Sequence, residues 1–455
     1  MSNVAVGEPS TPQHPSATDP APSVDHADQL ARLRVPRAAV RVLRPCLLHD
    51  GIDALAPELD RELTVAWHEA ATADRITTFV PASGAATRLW SEPLESLPDE
   101  LATRLGAARD AGLPKGLVPF HRYADGTVRT AVEEQVRAAT QVAGARARVH
   151  FTVPVDHRAA FEAELARIAD QVAPTVTLTT SVQDPATDTV AIHLDGRQVL
   201  LDDGTPLLRP GGHGALLSEL DALGADLVVI RNVDNICVHR LRGHLADWRR
   251  RLVGALVAVE QRVHDALRAL DAGEADPEVL RELLLRLGIT APEGVDLPRF
   301  AWEQLHRPLR VCGMVPDVGH SGGGPFWAAD ADGIERRQIV EAAEFDTDDP
   351  EQQELMRSAT HFNPVEIAAS LRDHRGEPYD LSAYVDDRAW IVTEKSWNGE
   401  RIRVLERPGL WNGGMGRWNT LFVELPISVF HPVKTARDLL EPGHDGLLTD
   451  DPTEF

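Results

Sequence analysis

The chain has 455 residues, 43% of them hydrophobic and 25% charged, with a formal net charge of −24. That acidity argues against a nucleic-acid or anionic-membrane surface, because counter-ion release needs clustered lysine and arginine. Its three cysteines, Cys46, Cys237 and Cys312, are too few and too scattered for a disulfide framework or zinc site, and they fit a reducing cytoplasm. No apolar run approaches the roughly eighteen residues of a membrane span, and the first residues lack the basic and apolar regions of a signal peptide.

Residues 1–27, rich in Pro, Ser, Ala and Asp, are expected to be a disordered tail. Over residues 28–75, apolar positions such as Leu30, Leu33, Val40, Val42, Leu43, Leu55, Leu59 and Leu63 predict a lead of short helices. A core is expected over residues 76–345. It opens with a strand at Thr77–Val80, a loop from Pro81 to Arg88 entering a helix, a helical stretch over 93–114 and a short strand at Leu117–Phe120. Val149–Val153 and Val176–Val182 predict further strands on either side of a helix. Val190–Leu201, with Asp195-Gly196 at its centre, predicts a hairpin. Gly211-Gly212-His213-Gly214 then opens a helix, and Ala225–Ile230 reads as a strand buried on both faces. A helical insertion is expected at about 243–300, and Leu309–Val315 returns to the sheet. Residues 346–455 read as a C-terminal extension. Strands alternating with helices predict an α/β fold with a mainly parallel sheet.

In such sheets ligands lie beyond the carboxyl ends of the strands. Asp234, in Asn232-Val-Asp-Asn235 after a buried strand, is therefore placed to hold a divalent cation; as a plain helix cap it would do nothing chemical. Ser83, Gly84, Thr87 and Arg88 occupy a loop that suits phosphate, although a tight turn carrying a surface arginine gives the same pattern. The loop matches neither G-x-x-x-x-G-K-[ST] nor G-x-G-x-x-G. Lys115, in Pro114-Lys-Gly-Leu-Val-Pro119, is either a counter-charge to phosphate or a solvated surface lysine. His213, set between glycines, either touches a ligand or caps the helix after it.

Taken together, the phosphate loop, Pro-Lys-x-Leu-x-Pro, the Gly-rich turn and Val233-Asp-Asn235 resemble the UDP-sugar pyrophosphorylases, above all the eukaryotic-type UDP-N-acetylhexosamine enzymes. More specifically, residues 30–445 are similar to a bacterial domain-of-unknown-function family sharing their glycosyltransferase-A-like nucleotidyltransferase fold. Gln338–Glu344, His361-Phe-Asn363 and Phe430-His-Pro-Val-Lys434 extend the likeness. The resemblance implies Arg88, Lys115 and Lys434 as catalytic cations and Asp234 as the Mg2+ ligand. It also implies nucleotide contacts at Ser83, Gly84, Thr87, Gln183, Gly211, Gly212 and His213, and sugar contacts at Asn232, Gly324, Glu341 and Asn363. In these enzymes the first loop runs Leu-x-Gly-Gly-x-Gly-Thr-Arg; here Ser83 and Ala86 stand where glycines would.

The implied reaction joins a nucleoside triphosphate, with UTP favoured, to a sugar 1-phosphate, with Mg2+ as cofactor and pyrophosphate as the second product. Residues 346–455 would complete the sugar and phosphate site. Three other readings compete. One is a non-catalytic binding protein on the same scaffold. Another is a glycosyltransferase, for which the Asp-x-Asp pair is missing at Asp234 while Asp202-Asp203 falls in a hairpin. The third is a serine hydrolase using Ser321 of Gly319-His-Ser-Gly-Gly323, whose elbow needs a helix directly after the serine.

Overall fold

The structure is a computed structural model and describes residues 26–34, 40–84, 86–144, 146–172, 175–317, 319, 322–330, 332–346 and 348–447. All but two residues of the expected tail fall outside these; His26 and Ala27 begin a helix, His26–Arg34.

Continuous apolar runs become the strands of one central sheet. In chain order they are β1 Leu47–Leu48, β2 Gly51–Asp53, β3 Ile76–Pro81, β4 Arg148–Val153, β5 Thr177–Val182, β6 Leu227–Arg231, β7 Leu309–Pro316, β8 Glu366–Ser370 and β9 Asn419–Glu424. Their spatial order is β1-β2-β9-β7-β8-β6-β3-β4-β5, and His361–Phe362 adds to the end of β7. Every neighbour pair along this order is parallel except the two that involve β8.

Both faces of the sheet are covered, as the runs require. Leu227 and Val229 of β6 pack with Leu252 and Leu256 of the helix His239–Ala272, while the alternate residues Val228 and Ile230 pack with Leu216, Leu220 and Trp418. That helix has 34 residues, about 50 Å at 1.5 Å per residue. It crosses the helix Asp60–Thr72 so closely that a Cβ on Gly254 would strike the backbone of Leu63, so only glycine fits there. With Pro277–Arg286 and Leu297–Leu305 it fills the stretch where periodicity predicts a helical insertion. Among the described residues no helix is long and apolar enough to cross a membrane.

The sequence reading departs from the structure in several places. The helical lead over 28–75 is in fact mixed. Arg41–Pro45, read as helix, is a strand paired antiparallel with Gly324–Ala329, and β1 and β2 follow it. A tertiary partner outweighs the local spacing of Val40, Val42 and Leu43. Thr189–His193 does turn at Asp195-Gly196, but Gln198 meets it through a lone bridge, and its ladder partners are Leu208–Arg209 and Glu400–Glu406. Residues beyond 346 supply β8 and β9, so the C-terminal part lies inside the sheet rather than appended to it.

Candidate functional site

At the carboxyl ends of β3 and β6 lies a cavity of about 600 Å³ whose walls include Arg88, Lys115, Asp234 and Lys434. Four distant segments thus meet at one place. Lys115 is carried by the short turn Lys115–Leu117. Lys434 arrives because the chain before it pairs with the end of the β6 loop: Val433 N–H donates to the Asp234 carbonyl at 3.0 Å, and Pro432 bridges Asn235. Lys115 Nζ lies 2.6 Å from Asp234 Oδ2, and Lys434 Nζ lies 3.5 Å from the same oxygen.

Burial alone would raise the Asp234 carboxyl, but Lys115 and then Lys434 outweigh it and hold the group below the usual carboxylate range. The Lys115 ammonium moves the other way. Burial lowers it, Asp234 restores part, and Lys434 and Arg88 push it down again. Three cations face one carboxylate here, and even with Glu341 on the opposite wall positive charge is in excess. A cavity short of negative charge inside a protein of net charge −24 is built to receive anions.

The opposite wall presents Glu341. Trp411 Nε1–H donates to Glu341 Oε1 at 3.0 Å, and His213 Nε2 lies 3.3 Å from that oxygen. His213 Nδ1 accepts the Leu410 backbone N–H at 3.0 Å, so the ring's proton sits on Nε2 and points at the glutamate. The imidazole stacks on Trp411, with ring centres 4.2 Å apart and planes 15° apart. Burial raises the Glu341 carboxyl, but the bonds from His213 and Trp411 bring it below its ordinary value. His213 therefore acts on the cavity through Glu341 and Trp411 and does not line it.

The first loop differs from expectation. Gly84, Ala86, Thr87 and Arg88 line the cavity, yet no helix starts there: Thr87–Trp90 is a turn, and the first α-helix beyond it is Asp99–Asp110. The positive end of a helix dipole is accordingly not supplied by this loop. Ala86 holds φ at 25°, a glycine-like backbone kept by an alanine, whereas a Cβ at Gly84 would meet open space. Ala85 lies outside the described residues.

Other expected contacts are dispersed. Asn232 lines the cavity, and its carbonyl accepts Gln135 Nε2–H at 2.7 Å. Asn363 also lines it, but its side chain is committed to backbone, donating to Gly313 O at 2.8 Å and accepting Val365 N–H at 3.0 Å. Ser83 and Gly324 are not among the lining residues, and Gly322 and Gly323 stand there instead. Gln183, Gly211 and Gly212 form a separate cluster. Gln183 donates to Thr187 Oγ1 at 3.3 Å; a Cβ on Gly211 would lie 2.5 Å from the Thr187 carbonyl, and one on Gly212 would lie 2.9 Å from Glu406 Oε2. Close approach of protein to protein is enough to call for the glycines of this turn.

Ser321 and His320 fall outside the described residues. The segment after them, Gly324–Ala329, is a strand where a nucleophile elbow needs a helix. Asp203 accepts bonds from Thr205 N–H and Oγ1–H at 2.9 and 2.6 Å in an exposed turn, and neither it nor Asp202 lines the cavity.

Sequence reasoning missed what lies behind the cavity. Arg231 and Arg249 both meet Glu366, with Arg249 Nη2 2.7 Å from Oε1 and Arg231 Nε 3.4 Å from it. Arg231 also donates to Gln135 Oε1 at 2.6 Å and to the Asn235 carbonyl at 2.7 Å. Asn235 Oδ1 accepts the His431 N–H at 2.9 Å. This network fixes the loop 232–235 and the approach to Lys434. Missed too was Val365, a cavity residue at φ 59°; so strained a backbone on a β-branched residue is uncommon and clusters at functional sites. The Asn363-Pro364 pair before it was the available signal.

The fold is similar to that of the uridine diphosphate N-acetylglucosamine pyrophosphorylase of Trypanosoma brucei, with a TM-score of 0.50 at 12% identity, covering 91% of this chain and 75% of that one. It also aligns with a UDP-glucose pyrophosphorylase from Leishmania major at a TM-score of 0.44 and 15% identity, over 91% and 73% of the two chains. The chain belongs to the family described as Domain of unknown function (DUF4301), matched over residues 22–105 and 107–445. None of the curated proteins matches its sequence.

Proposed function

We propose that the protein transfers a nucleotidyl group from a nucleoside triphosphate to a sugar 1-phosphate. The observation that carries this reading is the meeting of Arg88, Lys115, Asp234 and Lys434 around one cavity. A phosphate oxygen of the acceptor attacks the α-phosphorus, the bond from that phosphorus to the β-phosphate bridging oxygen breaks, and pyrophosphate leaves with the electron pair. Little covalent chemistry is asked of the protein, which must align the two ends and offset concentrated negative charge. Arg88 can fork onto phosphate oxygens. Lys115 and Lys434 are point charges able to leave Asp234 for the polyphosphate. Glu341, oriented by His213 and Trp411, is a fixed acceptor suited to sugar hydroxyls.

Both lysines meet Asp234 through Oδ2. A single carboxylate completed by phosphate oxygens and water is a donor set that Mg2+ accepts. When bound, the ion would neutralise charge on the phosphates. The name of the Trypanosoma protein supports UTP as the first donor to try.

The test is pyrophosphate release from a panel of nucleoside triphosphates paired with sugar 1-phosphates, in Mg2+. Turnover with one pair, UTP foremost, is the expected result. Nucleotide binding without release from any pair would replace transfer by a binding role on the same scaffold. Neither binding nor release would overturn the reading.

A further inference from the structure

The strand ends opposite the cavity gather a second set of polar side chains. His306 directly follows the helix Leu297–Leu305 and precedes β7, while Asp373 and His374 lie just past the end of β8. Because β8 runs antiparallel to β7, its last residue, Ser370, pairs with Leu309, and that register sets the two segments side by side. One potential ligand atom from each of His306, Asp373 and His374 lies within 4.8 Å of the others.

Their hydrogen bonds leave donor atoms over. His374 Nε2 lies 2.9 Å from Asp271 Oδ2. Asp271 also accepts Arg375 Nη2–H at 2.6 Å and Trp302 Nε1–H at 3.3 Å, and a carboxylate paired with a guanidinium only accepts. The His374 proton is therefore on Nε2, and Nδ1 keeps its lone pair. That nitrogen has no hydrogen-bond partner although His374 is only 8% exposed, a condition native structures rarely tolerate without an electron-poor group nearby. Asp373 spends Oδ1 on the N–H groups of Arg375 and Glu377, at 2.8 and 3.0 Å. Its Oδ2 faces His306 Nε2 at 3.5 Å, too long for a firm bond. His306 is held by stacking on Trp302, with ring centres 4.5 Å apart.

We propose that His306, Asp373 Oδ2 and His374 Nδ1 form a site for a divalent transition ion of the zinc class, with Asp271 as the outer carboxylate that orients His374. Two imidazoles and one carboxylate are a donor set such ions favour, and a carboxylate on the far nitrogen of a ligand histidine is their usual support. With metal–ligand bonds of about 2.1 Å, tetrahedral ligand atoms stand about 3.4 Å apart, so His306 and Asp373, 3.5 Å apart, need hardly move, while His374, within 4.8 Å of them, draws in by at most about 1.4 Å. Water takes the fourth position. The ion would clamp the end of Leu297–Leu305 to the turn after β8, and through Asp271 to the end of His239–Ala272. This site is independent of the phosphate cavity.

The test uses the full chain, stripped with a chelator and titrated with Zn2+ against a chelating dye, with Co2+ absorption as the readout of coordination. We expect one ion per chain, intense four-coordinate Co2+ bands and a melting temperature that rises with zinc. Asp373→Asn and His374→Gln should each weaken binding at least tenfold, and Asp271→Asn about ten- to hundredfold. Asp234→Asn, at the opposite ends of the strands, should bind zinc as the wild type does. Absence of saturable one-to-one binding, unchanged affinity in the folded variants, or loss of the ion in Asp234→Asn would each overturn the site. Should His374→Gln fail to fold, Asp373→Asn, judged by its circular dichroism without metal, decides.

Discussion

Two triads of the same charge lie within a few residues of each other: Lys115–Asp234–Lys434 on the cavity wall and Arg231–Glu366–Arg249 behind it. The lysine side chains are 14% and 33% exposed, the arginines 2% and 5%. Lysine is a compact charge on a flexible stem, whereas arginine forks rigidly onto carboxylate and is hard to release. Equal charge therefore serves opposite ends. In the proposed reaction the lysines would exchange Asp234 for an incoming anion, while the arginines hold the loop from which Asp234 projects.

The largest effect should come from the dry triad. Glu366→Gln leaves two buried guanidinium groups without their counter-charge and should lower unfolding stability by about 3–5 kcal/mol. A loss below about 1 kcal/mol in a denaturant titration would break the contrast between scaffold and working face. Asp234→Asn should instead cut pyrophosphate release by roughly two to three orders of magnitude, with a much smaller fall in melting temperature. Lys115→Met should slow release about a hundredfold. It should cost less stability than Glu366→Gln, because Lys434 still stands beside Asp234 and burial already disfavours the Lys115 ammonium. Wild-type turnover in Lys115→Met would take that lysine out of the chemistry.

Acid sharpens the comparison further. The Asp234 carboxyl is held below its ordinary 3.8 in the folded protein, so between those values the unfolded chain binds the extra proton. Its contribution is complete above about pH 3.8 and is lost as the pH falls through the folded value. The stability gap between wild type and Asp234→Asn should accordingly narrow below that pH, and a gap that widens would contradict the sign. The smallest change expected is at the first loop: Ala86→Gly relieves the positive φ and should add about 1 kcal/mol. Destabilisation on melting would show that the alanine methyl is needed more than the relaxed backbone.

What was legible in the sequence follows from locality. β3, β6 and β7 stand out because burial on both faces demands unbroken apolar runs. Arg88, Lys115 and Asp234 were readable because each follows or precedes an apolar run, whereas Lys434 and Glu341 came only from the resemblance to the pyrophosphorylases. β8, Glu-Ile-Ala-Ala-Ser, was not: it is short, small-residue and begins with a charge whose partners lie 117 and 135 positions away. Arg41–Pro45 misled because its partner strand starts at Gly324. The glycines at 211 and 212 were read as room for a ligand; in the structure a Cβ on them would meet Thr187 and Glu406, partners too distant in sequence to be foreseen.

The place of β9 bears on how the molecule is made. Asn419–Glu424 is inserted between β7 and β2, the latter spanning only Gly51–Asp53. A growing polypeptide cannot zip that interior seam until nearly all of it has emerged from the ribosome. High contact order of this kind slows folding and leaves unfinished sheet edges open to aggregation. Truncated versions ending before residue 419 should therefore need chaperones throughout, however intact their remaining cavity residues are.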